Sequence, residues 1–271
     1  LAAPIATNGS DTLGVESENP NGLAVVHFDT EQSREDFWNQ VARAVRRAGR
    51  EQTPPWLLSY TLTDFPAKQK REAVWMAADH AAKEFGGLHS IIVDGFADLV
   101  CDVNDAEECN EFVAALHALA IKHNCPIVGV IHFNPGSEKT RGHLGSQLER
   151  KAETNLRIDK DGEVSHVWSE KQRRAPILEG TGPRFQWSEE LAMHVTVESR
   201  ESAKKKAATE EAKRLRDDVF GDKRSMRYTD LKNGVMDITG KSDRSAKRIV
   251  EDWVKLGVIE QSIAKLWTPR D

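Results

Sequence analysis

The sequence predicts an α/β fold: a mainly parallel β-sheet with helices on both faces, added antiparallel strands, and a small second domain. Three observations carry the prediction. Short apolar runs at 23–28, 56–60, 91–93 and 126–132 alternate with helix-length amphipathic stretches, the rhythm of strand–helix–strand crossovers. Ile91-Ile92-Val93 run straight into Asp94-Gly95, as a strand buried on both faces does where it ends at a working edge. Beyond Phe133 the rhythm gives way to short paired strands flanking Asp161-Gly162, a hairpin signal.

Taken in order, Leu1–Ala6 reads as the last turn of a helix stopped at Asn8-Gly9, and Asn19-Pro20-Asn21-Gly22 as a turn into the first strand. Ser33 is placed to cap a helix over 34–48 with Phe37, Val41, Ala44 and Val45 inward. Pro66 opens the next helix, which buries Val74, Trp75, Ala78, Ala81 and Ala82. A third helix spans 106–123. Segment 134–150 is polar and Gly-containing and reads as a loop, after which antiparallel strands at 154–158, 164–169, 184–187 and 192–197 are expected to extend the sheet. These elements make a first domain over 1–197. The Lys/Glu/Ala/Arg-rich stretch 198–220 reads as a charged linker helix outside any core, and 221–271 as a second domain.

Composition narrows the class. With 30% charged and 39% apolar residues, and no run near the ~20 apolar residues of a membrane span, a water-exposed globular protein is expected and no membrane partner. Cys101, Cys109 and Cys125 are odd in number and lack metal-ligand spacing, which fits reduced thiols and a cytoplasmic location. The net charge of −5 is uneven: residues 200–271 hold 18 Lys and Arg against 13 Asp and Glu, the rest 20 against 30. A basic tail on an acidic body points any nucleic-acid contact toward the tail, although a solvated charged surface has the same composition.

Strand ends at Glu31, Asp94 and His132–Asn134 share one edge if the strands are parallel neighbours, and ligands collect at such edges. An acid for Mg²⁺, a second acid to polarise water and a polar group near the transferred phosphate are the parts phosphoryl transfer needs. A buried strand whose terminal Asp caps a turn, and a structural histidine at a strand end, would look the same. The segments FDTEQS (28–33), IIVDGFADL (91–99) and VIHFNPGS (130–137), in that order, resemble a RecA-like ATPase core. Within that group they resemble the RepA-type hexameric replicative helicases of plasmids and mobile elements. The resemblance covers residues 1–197. It implies ATP and Mg²⁺ as cofactors, Glu31 as general base, Asp94 as the Mg²⁺-holding acid, and His132 with Asn134 as reporters of nucleotide state; Asp29 is a cofactor-binding candidate that also reads as a plain turn acid. It also implies a homo-hexamer with single-stranded DNA in the ring channel.

One departure qualifies this. The phosphate-binding loop G-x-x-x-x-G-K-[ST] does not occur in the chain, and Gly136–Thr140 has the wrong spacing. The expectation is a fragment of a longer parent, binding ATP weakly or not at all by itself, because triphosphate charge lacks its cradle of N–H groups and Lys.

Segment 136–151 stands where RecA-like helicases place a channel loop, and its Lys139, Arg141, Arg150 and Lys151 suit phosphate contact. Lys171-Gln172-Arg173 is similar to the Lys-x-Arg pair that ring helicases present to a neighbouring subunit's nucleotide, with Ala175-Pro176 in place of the usual glycine-rich continuation.

The C-terminal stretch reads as a winged helix. One helix buries Leu231, Val235, Met236 and Ile238; the next buries Ala246, Ile249, Val250, Trp253 and Val254, stops at Gly257, and is followed by a two-stranded wing. Lys241, Arg244, Lys247 and Arg248 on the second helix are candidates for DNA contact, unless the module docks protein. The leading expectation is an ATP-driven DNA motor, and the alternative a non-hydrolysing DNA-binding adaptor on an ATPase-like scaffold.

Overall fold

The computed structural model describes residues 1–134, 136, 140–198, 200–262 and 265–270, with the backbone alone over 200–206. Two compact units divide the chain, Leu1–Val197 and Glu198–Asp271.

In the first unit, strands β1 (Ala24–Asp29), β2 (Leu57–Thr61), β3 (Leu88–Asp94) and β4 (Ile127–Gly129) form a parallel sheet in the order β2-β1-β3-β4. Every residue of β1 is buried, as a central strand covered on both faces requires. Side chains alternate between two cores. Val26, Phe28, Ile91 and Val93 face the helices α2 (Ala67–Glu84) and α3 (Ala106–His123). Val25 and Leu57, with Ile92, face α1 (Arg34–Arg47) and a 3-10 turn at Ala3–Ile5. Each fully buried large aliphatic or Phe contributes roughly 1.5–3 kcal/mol, so this two-sided burial fixes the sheet in which the strand ends lie.

Local chemistry starts α1 and α3 where the sequence says. Ser33 Oγ accepts from the Asp36 N–H, with Glu35 and Asp36 in the first turn of α1 and Arg46 and Arg47 in the last. Asp105 accepts from the N–H groups of Glu107 and Glu108 to start α3, and Asn124, at φ 47°, ends it.

Several expectations are corrected. β4 has three residues where seven were expected; just past it the Val130 N–H still donates to the Val93 carbonyl (3.0 Å), while the Val130 carbonyl accepts from the Phe96 N–H of the turn after β3 (2.9 Å). Gly129 is required there: a Cβ would lie 1.8 Å from the Phe96 ring. Residues 142–151, read as loop, form the helix α4 (Gly142–Lys151), which anchors fully buried Leu144 against α3 and receives the Val103 carbonyl on its N–H. The antiparallel strands β5 (Thr154–Asp161), β6 (Val164–Gln172), β7 (Arg184–Ser188) and β8 (Met193–Val197) do not extend the parallel sheet; they pair among themselves in the order β5-β6-β7-β8.

The second unit holds α5 (Arg200–Phe220), α6 (Tyr228–Thr239), α7 (Asp243–Lys255) and a hairpin of β9 (Ile259–Gln261) and β10 (Trp267–Pro269). The linker expectation fails for the C-terminal part of α5, whose Ala212, Val219 and Phe220 are buried in this unit's core with Leu231, Val235, Val250 and Trp253. Arg216 is buried there too, donating to the carbonyls of Val258 and Arg270. Ile238 and Val254, assigned inward, are 47% and 44% exposed.

Candidate active site

Parallel pairing carries the ends of β1, β3 and β4 to one edge. Asp29 and Asp94 are register partners across β1 and β3, so two carboxylates sit side by side, and Glu31 follows two residues on. His132 Nε2 comes within 3.3 Å of Glu31 Oε2, and the imidazole is largely solvent-facing. Glu31, Asp94 and His132 are therefore brought together.

The loop that presents Glu31 is held from both sides. Asp29 is fully buried, and its Oδ1 accepts from the N–H groups of Glu31 (3.0 Å) and Gln32 (2.8 Å); its Oδ2 is buried without a partner. Thr30 donates its N–H (3.1 Å) and its hydroxyl (3.0 Å) to the Asp94 carbonyl, and the hydroxyl also lies 3.3 Å from the Gly95 carbonyl. Gly95 adopts φ +100°, and a Cβ there would meet the Thr30 hydroxyl at 2.1 Å and the Glu31 side chain at 3.2 Å. Glycine at this position lets the Glu31 side chain cross the end of β3. The sequence signal for Gly95 was its place directly after Asp94; Thr30 carried no signal of its own.

Electrostatics follow from the crowding. The Asp94 carboxyl is held above the usual range, first by burial, then by the charges of Asp29 and Glu31, with His132 pulling the other way. Three acids crowded at one edge, with the Asp94 carboxyl held up by its neighbours, make a place that a cation relieves. Among the described residues no three His, Cys, Asp or Glu side chains surround a common metal position. Mg²⁺ fits that pattern, because it keeps its waters and takes one or two carboxylates beside substrate phosphates.

The other candidates are placed as follows. Asn134 donates to the Thr140 carbonyl (3.3 Å), beside the bridge of Phe133 with Thr140 and the bond from the Arg141 N–H to the His132 carbonyl. Arg141 precedes α4, while exposed Arg150 and Lys151 lie in its last turn, where cations complement the helix dipole. Across ten residues those two ends are about 14 Å apart, so they are not one loop patch. Lys139 lies outside the described residues. Lys171 Nζ donates to the carbonyls of Glu149 (2.7 Å), Arg150 (2.9 Å) and Ala152 (3.0 Å), closing the C-terminus of α4 in its own chain. Arg173 is exposed just past β6, and Arg174 lies 3.6 Å from Glu153. In the second unit Lys241, Arg244, Lys247 and Arg248 are all exposed along α7 and the turn before it.

Residues 1–138, just over half of the chain and all the strand ends just described, match the AAA domain family. The chain belongs to the AAA domain family. It is thereby one of the ATPase-type proteins of the P-loop, RecA-like class, and its helix-flanked parallel sheet is the architecture of that class. Nucleotide and Mg²⁺ use is general to the family. A comparison with curated proteins finds no match. No helix among the described residues is long and apolar enough to cross a membrane.

Proposed function

We propose that this AAA domain is the motor core of a RepA-type helicase that hydrolyses ATP while tracking single-stranded DNA in a hexameric ring, in the replication of a plasmid or mobile element. The convergence of Glu31, Asp94 and His132 on one sheet edge carries the reading. Glu31, partly exposed and beside His132, takes a proton from the attacking water. Asp94 would hold Mg²⁺, and the ion when bound would supply neutralisation of charge on the phosphate oxygens. His132, on the segment that turns back into α4, relays the state of the site toward Arg141 at the start of that helix. Arg173, exposed past β6, reaches the site of a neighbouring protomer. The second unit has the order helix, short bridge, two helices, hairpin, in which Met226 pairs with Trp267, and this supports a winged helix that presents α7 to duplex DNA.

The second reading, a DNA-binding adaptor that hydrolyses nothing, is favoured by the exposed basic residues of α7. Steady-state ATP turnover with and without single-stranded DNA separates the two, measured on the chain and on the chain joined at Leu1 to a phosphate-loop strand and helix. DNA-stimulated turnover in the joined protein supports the motor. Absence of turnover in both, with salt-sensitive DNA binding, supports the adaptor.

A further inference from the structure

Asp29 stands among the site acids but is not placed to act on a ligand. Its residue is fully buried, one oxygen is committed to the N–H groups of Glu31 and Gln32, and the bonds form an Asx-type turn that decides where residue 31 begins. The surrounding contacts make that turn rigid. The Leu62 N–H donates to the Asp29 carbonyl (2.8 Å), Thr63 Oγ1 donates to the Gln32 carbonyl (3.0 Å), and Thr30 ties the same segment to the Asp94 and Gly95 carbonyls. Glu31 is thus the only one of these four residues, 29 to 32, whose carboxylate is left facing His132.

We propose that Asp29 is the positioning residue for Glu31: its Oδ1, acting as a double acceptor, sets the backbone from which the base reaches the reacting water. The turn asks residue 29 for an acceptor at Oδ1, shared by the N–H groups of residues 31 and 32, and that duty needs no charge. An amide in the same place keeps the acceptor, whereas a methyl group removes it. The inference rests on the reading of Glu31 as general base, and its structural half is measurable without that reading.

The test compares Asp29→Asn and Asp29→Ala in the full chain by amide hydrogen exchange at Glu31 and Gln32, and by ATP turnover in the phosphate-loop-joined protein. Asp29→Ala is expected to speed exchange at both amides on the order of tenfold or more, leaving β3 amides unchanged, and to lower kcat about 10- to 100-fold at unchanged KM. Asp29→Asn is expected to restore both within about threefold, the rescue that an acceptor role predicts. Unchanged exchange in Asp29→Ala overturns the proposal. So does an Asp29→Asn protein that keeps both amides protected yet loses turnover as Asp29→Ala does, because charge would then be what matters. Should Asp29→Ala fail to fold, lost amide protection in Asp29→Asn overturns it by itself. Full turnover in Glu31→Gln removes the base assignment and leaves the exchange result standing.

Discussion

Asp94 and Gly95 show how much chemistry two adjacent residues carry. Asp94 is pressed by burial and by two neighbouring acids, so its folded-state carboxyl holds its proton more tightly than in the unfolded chain. The sign follows from linkage: stability is fullest at low pH, and is lost as pH rises from the unfolded carboxylate range through the raised folded value. Asp94→Asn removes the repulsion. It is expected to raise Tm at pH 8 by about 2–4 °C, the shift that ~1 kcal/mol makes in a protein of this size, with the gain fading as pH falls toward 4. Thermal unfolding across that range checks it, and a gain independent of pH would mean that the acid is not under strain. Asp94 was legible from the sequence because an apolar run ending in an acid is a pattern. Asp29 was legible as a turn acid, but which N–H groups it accepts from, those of residues 31 and 32, depends on the fold of the turn, which no spacing encodes.

Elements repeat that lesson. The strands and helices of residues 24–123 were readable because each is punctuated by its own chemistry: Ser33 and Asp105 at helix starts, Asn124 and Gly95 at ends. The helix α4 was missed because Gly142 and Gly145 read as loop, while the reason for its order is tertiary: Leu144 in the core and the Val103 carbonyl on its first turn. The separate antiparallel sheet was missed because pairing partners of edge strands are set by the whole fold. Lys171 is the sharpest case. A Lys-x-Arg spacing points to a neighbouring protomer, yet the ammonium closes three carbonyls of its own α4. Charge-assisted bonds of this kind contribute about 1.5–3 kcal/mol each before solvent competition. Lys171→Met is therefore expected to cost about 1–2 kcal/mol in urea unfolding of the first unit. A change below about 0.5 kcal/mol would return Lys171 to the trans-acting role.

At the scale of the whole molecule, the charge asymmetry of the sequence falls on the two units, the first acidic and the second basic. The winged-helix reading places DNA on α7. Arg244→Glu with Lys247→Glu is expected to weaken duplex binding at least tenfold and to flatten its salt dependence, since two phosphate contacts become repulsions; unchanged affinity would make the unit a protein-docking module. The central claim remains the strand-end edge. The most direct measurement is ATP turnover by Glu31→Gln beside the unaltered phosphate-loop-joined protein, with Mg²⁺ and single-stranded DNA present and ATP binding followed in parallel. Turnover lost by about 10²-fold or more, with ATP affinity within about threefold, is the result this site predicts. Turnover that survives the substitution would contradict it and move the base elsewhere.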